Sequence, residues 1–144
     1  MEKQKKILVA VDGSENSKRA LLEAKKYGEG FSGDITILSV VKPMVPGHYS
    51  YLKPPTPEDN KVLEDASKFL LQESLKAFDG YSGDVEAKLR RGNPADEILR
   101  EAEEEGYDLI VMGSRGLGVF SRSFLGSVSN KVLNHADTNI LIIR

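Results

Sequence analysis

The chain reads as an α/β protein built on an open parallel sheet with helices on both faces, and three observations lead there. Five short apolar runs alternate with four longer stretches of helical, amphipathic period. The runs Ile7-Leu-Val-Ala-Val11 and Leu109-Ile-Val-Met112 are apolar at every position, as strands covered on both faces must be. Parallel neighbours need crossover connections, and the amphipathic stretches supply them.

Strands are expected over 6–12, 34–41, 84–90, 108–113 and 138–143. The first helix is expected from Ser17 to Gly28, with Ala20, Leu21, Ala24 and Tyr27 on one face. A second follows Thr56, a natural N-cap, with Pro57 at the first helical position and Glu58 and Asp59 at the positive end of the dipole. Val62, Ala66, Phe69 and Leu70 form its expected buried stripe. Asn93-Pro94-Ala95-Asp96 opens a third helix on the same logic, Ile98, Leu99 and Ala102 supply its apolar face, and Gly106 stops it. A fourth begins near Gly126-Ser127 and is expected to bury Val128, Val132 and Leu133. Residues 42–57 hold five of the six prolines and show no period, so they form a long loop. Such loops are lids, contact surfaces or connections without a specific role, and nothing in this one, His48 included, chooses among them.

Composition narrows the function. A length of 144 residues fits one domain, 1–144. A formal charge of -2 without a basic block interleaved with aromatics gives no reason to expect a nucleic-acid partner. The absence of cysteine removes disulfides, thiolate catalysis and the usual structural zinc sites, and suits a reducing compartment. The first residues lack the apolar core of a secretory signal, and no run approaches the roughly 20 apolar residues of a membrane helix. A cytoplasmic protein with no membrane partner is the expectation.

The chemistry concentrates between Leu109 and Ala136. That window contains no acidic residue in a chain with 22 Asp and Glu, while Arg115, Arg122 and Lys131 are basic. Within it, a buried strand runs through Gly113, Gly116 and Gly118 into Gly126-Ser127 at a helix start. Glycines let backbone N–H groups approach an anion, and a first helical turn offers unpaired donors. This is the chemistry of a phosphate cradle. Two other glycine patterns carry no such meaning. Gly28-Glu-Gly30-Phe-Ser-Gly33 matches the dinucleotide pattern in letters but lies after a helix and before a strand, the wrong order, and reads as a helix stop with a connecting turn. Gly116-Leu-Gly118-Val-Phe-Ser121 lacks the third glycine, and no Walker-type loop exists.

The spacing Gly113, two residues, Gly116, nine residues, Gly126, Ser127 resembles the G-2x-G-9x-G-[ST] signature of the ATP-binding branch of the universal stress protein family. The resemblance covers nearly the whole chain, including the opening Ile7-Leu-Val-Ala-Val-Asp-Gly-Ser14 and the closing Asn139-Ile-Leu-Ile-Ile143. It implies a sheet of strand order 3-2-1-4-5, of the Rossmann-like nucleotide-binding alpha hydrolase type. It also implies ATP, or AMP or ADP, as ligand, with Mg or Mn. By resemblance, Ala10, Val11 and Asp12 line the base and ribose end, and Asp12 reaches a ribose hydroxyl or a bound metal. The backbone of Val40 reads the adenine edge. Met112 and Gly113, Ser114, Arg115, Gly116, Leu117, Gly118 and Val119 wrap ribose and phosphates, while Gly126, Ser127, Val128 and Ser129 hold the polyphosphate. Relatives often carry proline where this chain has Ala10. A homodimer through the C-terminal strand, 138–143, is implied as well, because an apolar edge strand invites pairing.

Blander readings stand beside these. Asp12 caps the first helix, or meets ligand; Ser129 bonds its own helix, or meets phosphate. Arg115 and Arg122 are solvated loop charges or phosphate contacts, and His135 belongs with its helix terminus. No catalytic residue is assigned, because hydrolysis needs a water-positioning group and the acid-free window offers none. The reading is an ATP-binding regulatory protein with slow hydrolysis at most. The alternative is an adenylating or phosphotransfer enzyme on the same scaffold, but the Ser-Gly-Gly loop of such enzymes is replaced here by Asp12-Gly13-Ser14-Glu15.

Overall fold

A computed structural model describes residues 5–44, 54–116 and 125–144. The element order is β1 (Lys6–Ala10), α1 (Glu15–Glu29), β2 (Asp34–Val41), α2 (Pro57–Lys76), β3 (Val85–Arg91), α3 (Pro94–Glu105), β4 (Leu109–Gly113), α4 (Ser127–His135) and β5 (Asn139–Ile143). The strands form one parallel sheet in the order β3-β2-β1-β4-β5. The expected fold class is thus the observed one, and no described helix is long and apolar enough to cross a membrane.

Alternation along the strands divides the core into two layers. Ile7, Val9, Ile35, Ile37 and Val111 point to one face, where Ala20, Leu21 and Ala24 of α1 and Leu71 of α2 cover them. Leu8, Leu38, Ile110 and Met112 point to the other, under Ala95 and Ile98 of α3 and Val132 of α4. Because both faces are dry, β1 and β4 have no polar side to show.

The helix ends follow their capping residues. Thr56 and Asp59 form a reciprocal capping box at α2. Asn93 accepts the Asp96 N–H at 3.1 Å to open α3, and Gly106 closes it at φ 69°. α1 begins earlier than expected, at Glu15, because Ser14 is its N-cap and accepts the Ser17 N–H at 3.2 Å. The glycine-rich 28–33 stretch is a helix stop, with Gly33 N–H returning to the Gly28 carbonyl at 3.0 Å.

Three expected faces are corrected. Tyr27 and Leu133 are exposed rather than buried. In α2, Val62 is 67% and Phe69 63% exposed, and Ala66 also faces outward. The inward face instead carries Leu70, Leu71, Ser74 and Leu75, with Ser67 meeting Ser39 of β2 hydroxyl to hydroxyl at 2.9 Å. Hydrogen-bonded serines let the helix sit close to the sheet, and that outweighed the apolar periodicity on the other flank.

The sheet edge at β3 is built differently from its interior. In register with Leu38 and Val40 of β2 stand Lys88 and Arg90. α3 answers with Glu97 and Glu101, the latter only 2% exposed. Glu101 accepts from Lys88 Nζ at 2.8 Å, Arg90 Nη1 at 2.9 Å and Tyr107 Oη at 2.7 Å. Burial alone would raise the Glu101 pKa, but hydrogen bonds from Lys88, Tyr107 and Arg90 outweigh it and hold the carboxyl below its ordinary range.

The corrected α2 face gives a direct expectation for stability. Leu71→Ala should cost about 2–5 kcal/mol in denaturant unfolding, whereas Phe69→Ala should stay within about 0.5 kcal/mol. A larger loss at Phe69 than at Leu71 would reverse the assignment.

Candidate functional site

The sheet order reverses between β1 and β4, so the connections leaving their carboxyl ends part in opposite directions and open a crevice. A cavity of about 320 Å³ lies there. β1 contributes Ala10 and the following Val11 and Asp12; β2 contributes Val40; β4 contributes Met112 and Gly113. Arg115 and Gly116 follow on one side, and Gly126, Ser127, Val128 and Ser129 close the other. Two segments well separated in sequence therefore face one space. Leu117, Gly118 and Val119 lie outside the described residues, as does Arg122.

Ser114 is the exception among the expected residues. It does not line the cavity, and its role is to join the two segments. The Ser114 carbonyl accepts the Gly126 N–H at 2.7 Å and the Ser129 hydroxyl at 2.7 Å. Its own hydroxyl accepts from Asn16 Nδ2 at 3.1 Å, tying the junction to α1. Ser129 Oγ also lies 3.1 Å from the Gly126 carbonyl. A hydroxyl has one proton to give. Ser129, buried, spends it on the main chain while the residue still lines the cavity.

The glycines are needed for close approach, each to a different neighbour. A methyl group at Gly113 would stand 2.7 Å from Asn16 Cβ, so this glycine lets α1 pack on β4. One at Gly116 would stand 2.5 Å from Asp12 Oδ2. One at Gly126 would stand 3.3 Å from Arg115 Cα and 3.4 Å from the Ser114 carbonyl oxygen.

At one end of the cavity are donors. α1, α2 and α3 are capped by Ser14, Thr56 and Asn93, but Gly126 gives α4 no side-chain cap. Among the described residues the N–H groups of Ser127, Val128 and Ser129 have no capping side-chain acceptor at the positive end of the helix. Among the described residues the exposed Ser127 hydroxyl has no hydrogen-bond partner either. Arg115 is, among the described residues, the one cationic side chain of the lining.

The other end is apolar, formed by Ala10, Leu38, Val40, Pro94, Ile98 and Met112. Here the register exposes a peptide. Even-numbered residues of β2 turn their N–H and C=O toward β1, as the bonds Asp34 N–H to Lys5 and Val11 N–H to Leu38 show. The last row pairs Ala10 with Leu38, and β1 then leaves through Asp12 and Gly13, the latter at φ 90°. Val40 is the next row, and its donor and acceptor face the cavity without a strand opposite.

Asp12 stands between the two ends. Its Oδ1 accepts the Ser14 N–H at 2.9 Å, so it forms the turn before the helix while Ser14 does the capping. Its Oδ2 lies against Gly116. Among the described residues no cluster of three His, Cys, Asp or Glu side chains is placed to hold a metal ion. His135 Nδ1 lies 2.9 Å from the Lys131 carbonyl, at its own helix terminus as expected.

Ser17, Leu38, Pro94 and Ile98 line the cavity without having been singled out from sequence. The sequence marks Pro94 only as a helix start and Ile98 only as a core position. The signal was present: the turn between β3 and α3 lies at the same carboxyl end of the sheet as the other two segments.

These features define an open parallel α/β protein with a cavity at its topological switch point. The universal stress protein family model matches residues 3–144, and the chain belongs to that family. A universal stress protein of Thermus aquaticus is 38% identical over 142 residues, covering 97% of this chain and 98% of that one. Universal stress protein UspA from Lactobacillus plantarum superposes with a TM-score of 0.77 at 25% identity, over 100% of both chains. The universal stress protein from Archaeoglobus fulgidus in complex with dAMP shares the fold, with a TM-score of 0.68 at 20% identity and 100% coverage of both.

Ser129→Ala removes one of two donors from the Ser114 carbonyl. It should destabilise the protein by about 0.5–1.5 kcal/mol, read by denaturant unfolding. An unchanged midpoint would remove Ser129 from the junction.

Proposed function

We propose that the chain is an adenine-nucleotide-binding regulatory protein, holding ATP, or AMP or ADP, along the cavity. The observation that carries this is the uncapped amino end of α4, among the described residues the one helix start without a side-chain acceptor, opening onto that cavity. An anion supplies the missing acceptor, and a phosphate is the anion whose several oxygens match adjacent N–H groups. The α4 turn and Gly116 take the phosphates, and Ser127 adds a hydroxyl. The apolar end takes the base. The free Val40 N–H and C=O match the acceptor and amino group side by side on the edge of adenine. Ala10 and Val11 flank the ribose, and Asp12 Oδ2 accepts from a ribose hydroxyl. The Archaeoglobus fulgidus relative, whose structure is a complex with dAMP, supports the choice of adenine.

Asp12 alone suits a magnesium or manganese ion held chiefly by phosphates and water, as hard cations in nucleotide sites often are. When bound, such an ion supplies positive charge to neutralise the phosphate oxygens. Among the described residues Asp12 is the one acidic side chain in the lining and its Oδ1 is already engaged by the Ser14 N–H, so none of them is left to deprotonate a water. Hydrolysis is therefore slow, and the bound nucleotide acts as a signal in the cytoplasm. Multiple turnover above about 1 per second would make the protein an enzyme instead.

Saturating Mg-ATP at 100 times its dissociation constant should stabilise the protein by about 2.7 kcal/mol. Ser127→Ala should weaken ATP on the order of 10- to 100-fold, the worth of a hydrogen bond to a charged group. Calorimetric titration reads both proteins, and equal affinity rejects the Ser127 contact.

The second part of the proposal is a homodimer through β5. This strand is the sheet edge, and Asn139 and the four apolar residues that follow it all retain exposure. A sedimentation mass at micromolar concentration should be twice that of one chain. A single monomeric species overturns the pairing.

A further inference from the structure

We infer that the ion pair between Arg90 and Glu97 is a positioning device for the base end of the cavity, an inference that rests on the nucleotide reading above. Arg90 is the register partner of Val40, the residue whose free peptide faces the cavity. Glu97 lies in the first turns of α3, between Pro94 and Ile98, both of which line it. The pair thus stands directly behind the apolar end, joining the strand beside Val40 to the helix that forms the opposite wall.

The contacts are those of a clamp. Arg90 Nε donates to Glu97 Oε1 at 3.0 Å, and Arg90 Nη1 donates to Glu101 Oε1 at 2.9 Å, so one planar guanidinium bridges successive turns of α3. The other Glu97 oxygen accepts from Arg100 Nη1 at 2.7 Å. The same carboxylate covers Gly92, where a methyl group would stand 2.9 Å from Glu97 Oε2. Gly92, at φ 144°, donates its N–H to the Val41 carbonyl at 2.9 Å and closes the β2–β3 pairing. Glu97 therefore holds down the turn that delivers Pro94. Since Glu97 is only 6% exposed, this geometry is not loosened by solvent.

Among the described residues the opposite end of the cavity is tied to α3 by a different ion pair, Lys131 Nζ with Asp96 Oδ1 at 2.7 Å, and not by Arg90 or Glu97. Its donors come from the turn after β4 and the start of α4, joined through Ser114. A change at Arg90 or Glu97 should consequently alter base recognition and leave phosphate recognition intact. Loss of the fold would weaken both together, which separates positioning from stability.

The test is titration calorimetry of the full chain with Mg-ATP and, separately, with inorganic tripolyphosphate. Wild-type protein should prefer ATP. In Glu97→Gln that preference should shrink on the order of 10-fold, with tripolyphosphate affinity held to within about two-fold. Arg90→Lys keeps the positive charge beside Glu101 but loses the fork, and should shift the preference in the same direction. It serves as the measurement should Glu97→Gln fail to fold. An unchanged ATP preference overturns the inference, and so does a parallel loss of both ligands. Wild-type protein that binds neither ligand, or both equally, overturns the nucleotide reading and this inference with it.

Discussion

The Ser114 carbonyl is the point on which the cavity depends. It receives two donors, the Gly126 N–H and the Ser129 hydroxyl, each at 2.7 Å. With those bonds made, the end of β4 and the beginning of α4 form one surface, although several residues separate them in sequence. The bonds fix the amino end of α4 beside Gly113 and Gly116, while the buried Val132 and the Lys131–Asp96 pair hold the rest of the helix. Neither partner can shift alone, because Asn16 also anchors the Ser114 side chain to α1. The glycines of this region serve the same approach, each admitting a neighbour that a methyl group would push away.

Two kinds of cohesion meet around this point. The apolar layers fix the sheet and the depth of the cavity, since Leu38, Ile98 and Met112 belong at once to the core and to the lining. The charged layer at β3 fixes its far wall. Paired and hydrogen-bonded as they are, Lys88, Arg90, Glu97 and Glu101 are tolerated at a buried edge where isolated charges would not be. Such layers add less to stability than hydrocarbon of equal volume, but they permit few alternative arrangements of α3.

The sheet was legible in the sequence because its signal is local and repeated. Runs such as Ile7 to Val11 have no other stable use, and Thr56-Pro57, Asn93-Pro94 and Gly106 mark helix ends through backbone chemistry that acts over a few residues. The two cavity-lining segments around Gly113 and Gly126 were legible for the same reason. What failed was the choice of helix face where two compete. In α2 the outward Val62 and Phe69 outscore the inward Ser67 and Ser74, and only the Ser39 hydroxyl across the interface reveals which side is buried. Pro94 and Ile98 escaped notice because their place in the cavity depends on sheet order. The charge layer left a trace that could have been read: alternating charges at 86, 88 and 90 on a strand, and acids at 97 and 101 on the following helix.

The two margins of the sheet are chemically unlike. Along β3 the inward positions carry Lys88 and Arg90, while β5 runs Ile-Leu-Ile-Ile from 140 to 143. Lys88 and Arg90 are already matched by Glu97 and Glu101, and Glu86 and Arg91 of the same strand stay exposed, so a copy pairing along β3 would have to desolvate charge. Any association by edge pairing is left with one surface, which must meet itself around a twofold axis and then has nothing further to offer. Charge on one margin and hydrocarbon on the other thus leave the sheet a single edge suited to such pairing.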